Sequence, residues 1–188
     1  AVGVLNAEPK IVIMPKDPLL GEFEQEFGGL LGTIEENPEV NADEEESFAG
    51  AQSFKSTYKL FHRADEDNKE QIDAREFLKA RLMDIFIGDW DRHADQWRWA
   101  GFKGENGTVW KPIPRDRDWA FPRFEGIIPR AAEETVPELK SFGDEYPDIE
   151  GLTWKGRHLD RRILGPIDKP MWDAVASEIS NKLTDEVL

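Results

Sequence analysis

Apolar and polar residues alternate from Gln96 to Phe102, with Trp97 and Trp99 set against Arg98, the pattern of a half-buried β-strand. Lys103–Gly107 reads as a turn in which Asn106-Gly107 can supply positive φ. Thr108–Ile113 reads as the returning strand, and Pro112 marks an edge or the strand's end, because proline offers no N–H to a ladder. Elsewhere the period lengthens. Helices are predicted over Ser53–Arg63 and Ile72–Phe86. In the second, Leu78, Leu82, Ile85 and Phe86 form an i, i+4, i+7, i+8 stripe that faces the core, and Gly88 supplies the stop. A last helix is expected over Lys169–Leu183, with Trp172, Val175, Ile179 and Leu183 on its apolar side. Residues before 35 read as extended: Lys10–Met14 is a short apolar strand, and Gly28, Gly29 and Gly32 bend the stretch Phe23–Ile34. Residues 124–150 are loop-rich, with Pro129, Pro137 and Pro147. No internal repeat is visible. The pattern defines an α+β chain.

Composition narrows the function. A chain of 188 residues, 39% hydrophobic with 7 Trp and 11 Phe, can bury one core of ordinary size. Its 39 acidic against 24 basic residues leave a net charge of −15, which argues against general binding to nucleic acid or to anionic membranes. The acid is concentrated in Glu35–Glu46, a run that reads as a solvated loop. Residues 97–123 lean the other way: Arg98, Lys103, Lys111, Arg115, Arg117 and Arg123 outnumber Glu105, Asp116 and Asp118. That stretch suits an anionic ligand held together with a metal. Cysteine is absent, so there is no disulfide, thiol nucleophile or zinc–thiolate site. No segment is long and apolar enough to span a bilayer, and no signal peptide is visible. A sequence that starts at Ala1 reads as a processed product or an excised domain.

The candidate chemistry lies at the ends of the predicted hairpin. Asp91 stands just before its first strand, and Asp116 and Asp118 stand just after its second. Antiparallel pairing sets those ends side by side, with neighbouring strands about 5 Å apart. Carboxylates gathered in this way, mixed with arginine, are what metal-assisted phosphoryl transfer requires.

These residues also carry a resemblance. Asp91-Arg92-His93-Ala94-Asp95-Gln96 resembles the Asp-Arg-His-x-x-Asn catalytic loop of atypical kinases and departs from it at the last position. Pro114–Phe121 resembles the second metal-ligand motif of spore-coat (CotH-type) and HipA-like kinases. With Gly156–Arg162, the two motifs look like a kinase-like module of bacterial envelope proteins. The resemblance implies a mainly helical carboxy-terminal lobe over residues 51–188, with the hairpin between its acidic motifs. Residues 1–50, a short β segment and the acidic loop, would be the remnant of a nucleotide lobe or a linker. It implies ATP and Mg2+ as cofactors, an unidentified protein or small molecule as acceptor, and a place in the bacterial envelope (periplasm) or the cytoplasm. Asp91 would accept the proton of the attacking hydroxyl, with Arg92 and His93 completing the catalytic triplet and anchoring its loop. Gln96 falls where the family's metal-binding asparagine stands, and Asp95 is its substitute. Asp118 matches the aspartate of the Asp-Phe-Gly motif, with Asp116 as rival for the metal. Arg115 and Arg117 would meet the nucleotide.

Departures from the pattern leave other readings standing. No Gly-x-Gly-x-x-Gly loop is present, and Lys10 and Lys16 are the only lysines before residue 55. A non-catalytic, pseudokinase-like binding module is therefore the second expectation. A metal-dependent phosphohydrolase using the same carboxylates is the third, although Lys111–Arg115 does not read as the apolar strand that its Asp-x-Asp motif should end. Asp65–Glu76 approaches a calcium loop, but Lys69 occupies a ligand position and Glu70 the turn position that needs glycine. It reads as a polar connection with Asp73 capping the next helix. Gly156–Arg162 is read either as a phosphate contact through Arg157, Arg161 and Arg162 or as a structural partner of nearby aspartates. His62 and His158 are read as ordinary hydrogen-bonding residues. The tryptophans at 90, 97, 99, 110 and 119 are read as packing groups.

Overall fold

The structure is a computed structural model that describes residues 2–38 and 48–184. Two short strands, β1 (Lys10–Ile13) and β2 (Leu31–Ile34), pair antiparallel, with α1 (Glu24–Phe27) in their connection. β3 (Ser53–Ser56) runs directly into α2 (Thr57–Glu66), and β4 (Glu70–Ile72) is followed by α3 (Ala74–Phe86). β5 (Trp97–Gly104) and β6 (Gly107–Pro114) form the long hairpin. α4 (Ile127–Thr135), α5 (Ile149–Leu152), α6 (Arg157–Leu159) and α7 (Lys169–Lys182) complete the chain, and α6 continues into a π-helical turn over Asp160–Leu164. The larger sheet has the order β3-β5-β6-β4, with β4 parallel to β6 and the other pairs antiparallel. The protein is thus α+β, with seven α-helices and two small sheets among the described residues.

The hairpin is the centre of the core because three tryptophans stand on one of its faces. Trp97, Trp99 and Trp110 are fully buried against Leu60 of α2, Phe77 and Leu78 of α3, and Val175 and Ile179 of α7. The Phe77 ring lies 5.0 Å from Trp97 and 5.7 Å from Trp99. Burial of each such side chain stabilises the fold by roughly 1.5–3 kcal/mol. Two of the three indole N–H groups are satisfied: Trp99 Nε1 donates to Thr57 Oγ1 at 3.1 Å and Trp110 Nε1 to Glu70 Oε2 at 2.6 Å. On the opposite face Ala100 and Ile113 pack with Ala51, covered by Leu5, Phe48, Phe54 and Phe102. The strand expected to be half-buried is therefore covered on both faces.

Several elements differ from the sequence-based expectation. Ser53–Ser56 is not the first turn of a helix but the edge strand β3, paired with Arg98–Gly101, and Ile72 belongs to β4. Residues 124–150 contain the helix α4. α3 is buried on more than its apolar stripe: Phe77, Leu78, Lys79, Ala80, Arg81 and Asp84 are all inside, whereas Phe86 is exposed. The hairpin loop is Glu105-Asn106, one residue earlier than expected, and neither residue has positive φ. Gly107 does (φ +147), and a Cβ there would stand 2.1 Å from the Lys69 carbonyl oxygen, so this glycine is required by the close approach of β4 rather than by the turn. Pro112 sits within β6 opposite Trp99, but β4 pairs only as far as Trp110, so no strand on that flank asks for its missing N–H. β6 reaches Pro114, and Pro112, Ile113 and Pro114 are buried, so Asp116 does follow a buried strand. Of the acidic loop, residues 39–47 lie outside the described residues.

The Asp65–Glu76 segment is a connection, not a calcium loop. Arg162 bonds Asp65 at 2.6 Å, Glu70 pairs with Arg63, and the Asp73 carboxylate accepts from Glu76 N at 3.0 Å to cap α3. Asp73→Ala removes that cap and is expected to lower stability by about 1 kcal/mol in urea unfolding. Calcium at millimolar concentration should leave the midpoint unchanged.

Candidate functional site

The first acidic motif is positioned by the end of α3. Gly88 ends the helix with φ +71, and a Cβ there would come within 2.8 Å of Tyr146 Oη. Asp89 N bonds the Asp84 carbonyl at 2.9 Å, after which the chain runs through Trp90 and Asp91 to His93. The His93 imidazole Nδ1 accepts from Asp95 N at 3.3 Å and starts a single 3₁₀ turn, Ala94–Gln96, that enters β5. The second motif follows β6. Arg115 N donates to the Gln96 carbonyl at 2.9 Å, extending the ladder one step, and Asp116 then takes φ +53.

Arg92 fastens the two motifs together. Its guanidinium is almost wholly buried and donates to the Arg115 carbonyl at 2.6 Å, to the Gln96 carbonyl at 3.0 Å and to Asp84 at 3.2 Å, and it lies 4.7 Å over the Trp97 ring. Asp84, fully buried, also receives Arg81 at 3.3 Å and Arg117 at 3.0 Å, and Arg81 forms a bidentate pair with Asp160 at 2.7 and 2.9 Å. This network of Arg81, Asp84, Arg92, Arg117 and Asp160 was not singled out from the sequence. Its signal was available: Arg81 and Asp84 are three apart on a helix that packs into the core.

The expected site residues do converge, with differences in role. Asp116 accepts from Gln96 Nε2 at 3.2 Å. The Asp118 carboxyl is held above its ordinary range, by desolvation first, then by the charge of Asp116 and, more weakly, of Asp91. Asp118 thus feels the charge of the other two carboxylates. A cleft of about 960 Å³ opens over them, walled by His93, Asp95, Gln96, Pro114 and Arg115–Asp118 on one side and by Asn6, Pro9, Thr33 and Glu35 on the other. Asp91 does not line it; its carboxylate lies 3.8 Å from His93 Nε2 with a fifth of the side chain exposed. Asp95 is mostly exposed. Arg117 points inward to Asp84, while Arg115 lines the cleft with a buried Nε that has no partner among the described residues. Among the described residues no lysine lines the cleft.

Asp89 is a further buried acid. It is 2% exposed, its two oxygens have no hydrogen-bond partner among the described residues, and its nearest cation is Arg92 at 3.5 Å. Burial pushes its carboxyl up to about 6, with Asp84 adding and Arg92 and Arg117 opposing. The Gly156–Arg162 segment takes the structural role: Arg157 bonds the Trp154 carbonyl, Arg162 bonds Asp65, and Asp160 holds Arg81. Trp97, Trp99 and Trp110 are core, and Trp90 packs on Trp119 at 4.8 Å.

Among the described residues no three histidine or carboxylate groups stand close enough to close around a metal ion. The mutual repulsion at Asp116 and Asp118, beside the Gln96 amide, is nonetheless what a divalent cation relieves. No protein-family model, curated protein or solved structure matches the chain. Among the described residues no helix is long and apolar enough to cross a membrane.

Proposed function

We propose that the protein is a kinase-like phosphotransferase module, its helical part corresponding to a kinase carboxy-terminal lobe. One observation supports the reading: Arg92 bonds the backbone of both acidic motifs, and Asp118 feels the charge of Asp116 and, more weakly, of Asp91. Asp116, Asp118 and the side-chain amide oxygen of Gln96 would hold magnesium, which supplies positive charge against phosphate oxygens. Arg115, which lines the cleft, would meet the nucleotide. Asp91 takes the proton of the acceptor hydroxyl as its oxygen bonds the γ-phosphorus and the bond to the ADP oxygen breaks. Arg92 and His93 act by holding the loop.

The absence of lysine from the cleft wall and the inward turn of Arg117 favour a second reading, a binding module that keeps the shape without turnover. The measurement that separates them is nucleotide-dependent thermal stabilisation with and without magnesium, followed by phosphate transfer to hydroxyl acceptors. The first reading expects magnesium-dependent binding that Asp118→Ala weakens at least tenfold, and a transfer rate that Asp91→Ala lowers roughly 10²–10⁴-fold. A wild type that neither binds nor transfers overturns it. Release of free phosphate from a generic ester, with no transfer, would point to hydrolysis by the same carboxylates.

A further inference from the structure

The chain pairs its inward-facing cations almost everywhere. Arg63, Arg75, Lys79, Arg81, Arg92, Arg117 and Lys140 each reach a carboxylate. Arg115 does not, and neither, among the described residues, do Lys55, Lys59 and Arg98. The last three gather in one cleft of about 530 Å³ beside β3 and the start of α2, together with Ser53, Ser56 and Gln52. Among the described residues none of the three makes an ion pair, in a chain whose net charge is −15. Lys55 stands opposite Trp99 and Arg98 opposite Ser56, so the two cations leave this sheet edge on opposite faces and line the cleft from its two sides, with Lys59 following on α2. Among the described residues no carboxylate lines the cleft.

We propose that this cleft binds the phosphate group of a soluble phosphate monoester, separately from the carboxylate cluster. Two ammonium groups and a guanidinium fork match the oxygens of a tetrahedral dianion. The Ser56 side chain makes no capping bond to α2, so its hydroxyl remains available to donate. The frame is set before any ligand arrives. Thr57, buried next to Ser56, donates to the Ala94 carbonyl at 2.6 Å and accepts from Trp99 Nε1 at 3.1 Å, which fixes the junction of β3 and α2. Three cations in one cleft suit a single phosphate group; a nucleic acid or an anionic bilayer would meet the excess acid of the rest of the chain. The inference does not depend on phosphoryl transfer at Asp91 and Asp118.

The test is a titration of the isotope-labelled protein with inorganic phosphate and with glycerol phosphate, read by amide shifts. Saturable shifts are expected over Ser53–Lys59 and at Arg98. Lys55→Gln with Lys59→Gln should weaken binding roughly tenfold, a few-fold per neutralised contact at a partly exposed site. Adding Arg98→Gln should abolish it, and raising salt should weaken it. Lys59 is exposed and Lys55 half-buried, so the double variant keeps its fold, checked by circular dichroism. Asp118→Asn should leave this affinity unchanged. The proposal is overturned if phosphate produces no saturable shift, if the double variant binds as the wild type does, or if the shifts fall on Arg115 and Arg117 instead. Co-sedimentation with phosphatidylglycerol vesicles without binding of soluble phosphate would equally overturn it.

Discussion

Asp84→Ala is expected to destabilise the protein by about 3–5 kcal/mol, measured by urea unfolding at neutral pH. The carboxylate is fully buried and receives three guanidinium groups, from Arg81, Arg92 and Arg117. Removal of one partner from such a group leaves buried positive charge without compensation, and that is the costly change. Arg81 keeps its bidentate pair with Asp160, and Arg117 can turn toward solvent, being about 30% exposed. The loss therefore falls on Arg92, which retains two backbone carbonyls and loses its bonded carboxylate. Asp89, 3.5 Å away, is the only other acid within reach among the described residues. Loss of the Asp84 charge lowers the Asp89 carboxyl toward its ordinary range, since Asp84 is one of the groups holding it up, and so recruits Asp89 as a substitute. Asp84→Ala should accordingly cost more in an Asp89→Asn background than alone. A loss below about 1 kcal/mol, or strict additivity of the two changes, would show that Arg92 does not depend on this carboxylate. Because Arg92 bonds both motifs, the same variant should reduce any magnesium-dependent nucleotide binding more than its stability loss explains, measured well below the unfolding temperature.

Which features were legible in the sequence follows from the range of the forces that made them. The hairpin and its ends were readable because alternation and turn residues act locally: Trp97, Trp99 and Trp110 mark the buried face without reference to the rest of the chain. Val175 and Ile179 of α7 were readable for the same reason. The edge strand β3 was not. Ser53–Ser56 has no strand pattern of its own, and only pairing with Arg98–Gly101 draws it out of the helix that follows. The turn was misplaced by one residue because Gly107 looks like turn chemistry but serves the approach of Lys69 from β4, a contact 38 residues away in sequence. At the site, strand geometry argued that Asp91 would meet Asp116 and Asp118 at the root of the hairpin; Asp116 and Asp118 line the cleft and Asp91 does not. The arginines could not be sorted, since Arg92, Arg115 and Arg117 are the same residue type, and only tertiary packing turns two of them inward to Asp84 and leaves Arg115 in the cleft wall. Asp84 itself was hidden by a rule that usually holds, that charged positions on a helix mark its solvent side.

Asp89→Asn should stabilise the protein, and by an amount that depends on pH. In the folded chain the Asp89 carboxyl titrates at about 6 against an ordinary 3.8, chiefly because it is buried. The folded state thus holds the proton more tightly than the unfolded chain does. Below the lower of those values both states are protonated, and the carboxyl behaves as a neutral group. As pH rises from there through about 6 the unfolded chain has already released its proton, and stability falls; above it the buried charge costs a constant amount, on the order of 3 kcal/mol. Asparagine has the same shape and no such titration. The difference in unfolding free energy between the variant and the wild type should be near zero at pH 4, grow between pH 4 and 6, and level off above pH 7 in favour of the variant. The opposite sign is the informative failure. If the variant were less stable at pH 7, the attraction of Arg92 at 3.5 Å would outweigh the desolvation of the carboxylate, and Asp89 would belong with Asp84 as a charged clamp on the loop. The oxygens argue against that outcome: a carboxylate retained for its charge in a buried site is ordinarily met by well-aligned donors, and among the described residues neither oxygen of Asp89 has a well-formed hydrogen bond, Arg92 standing at 3.5 Å.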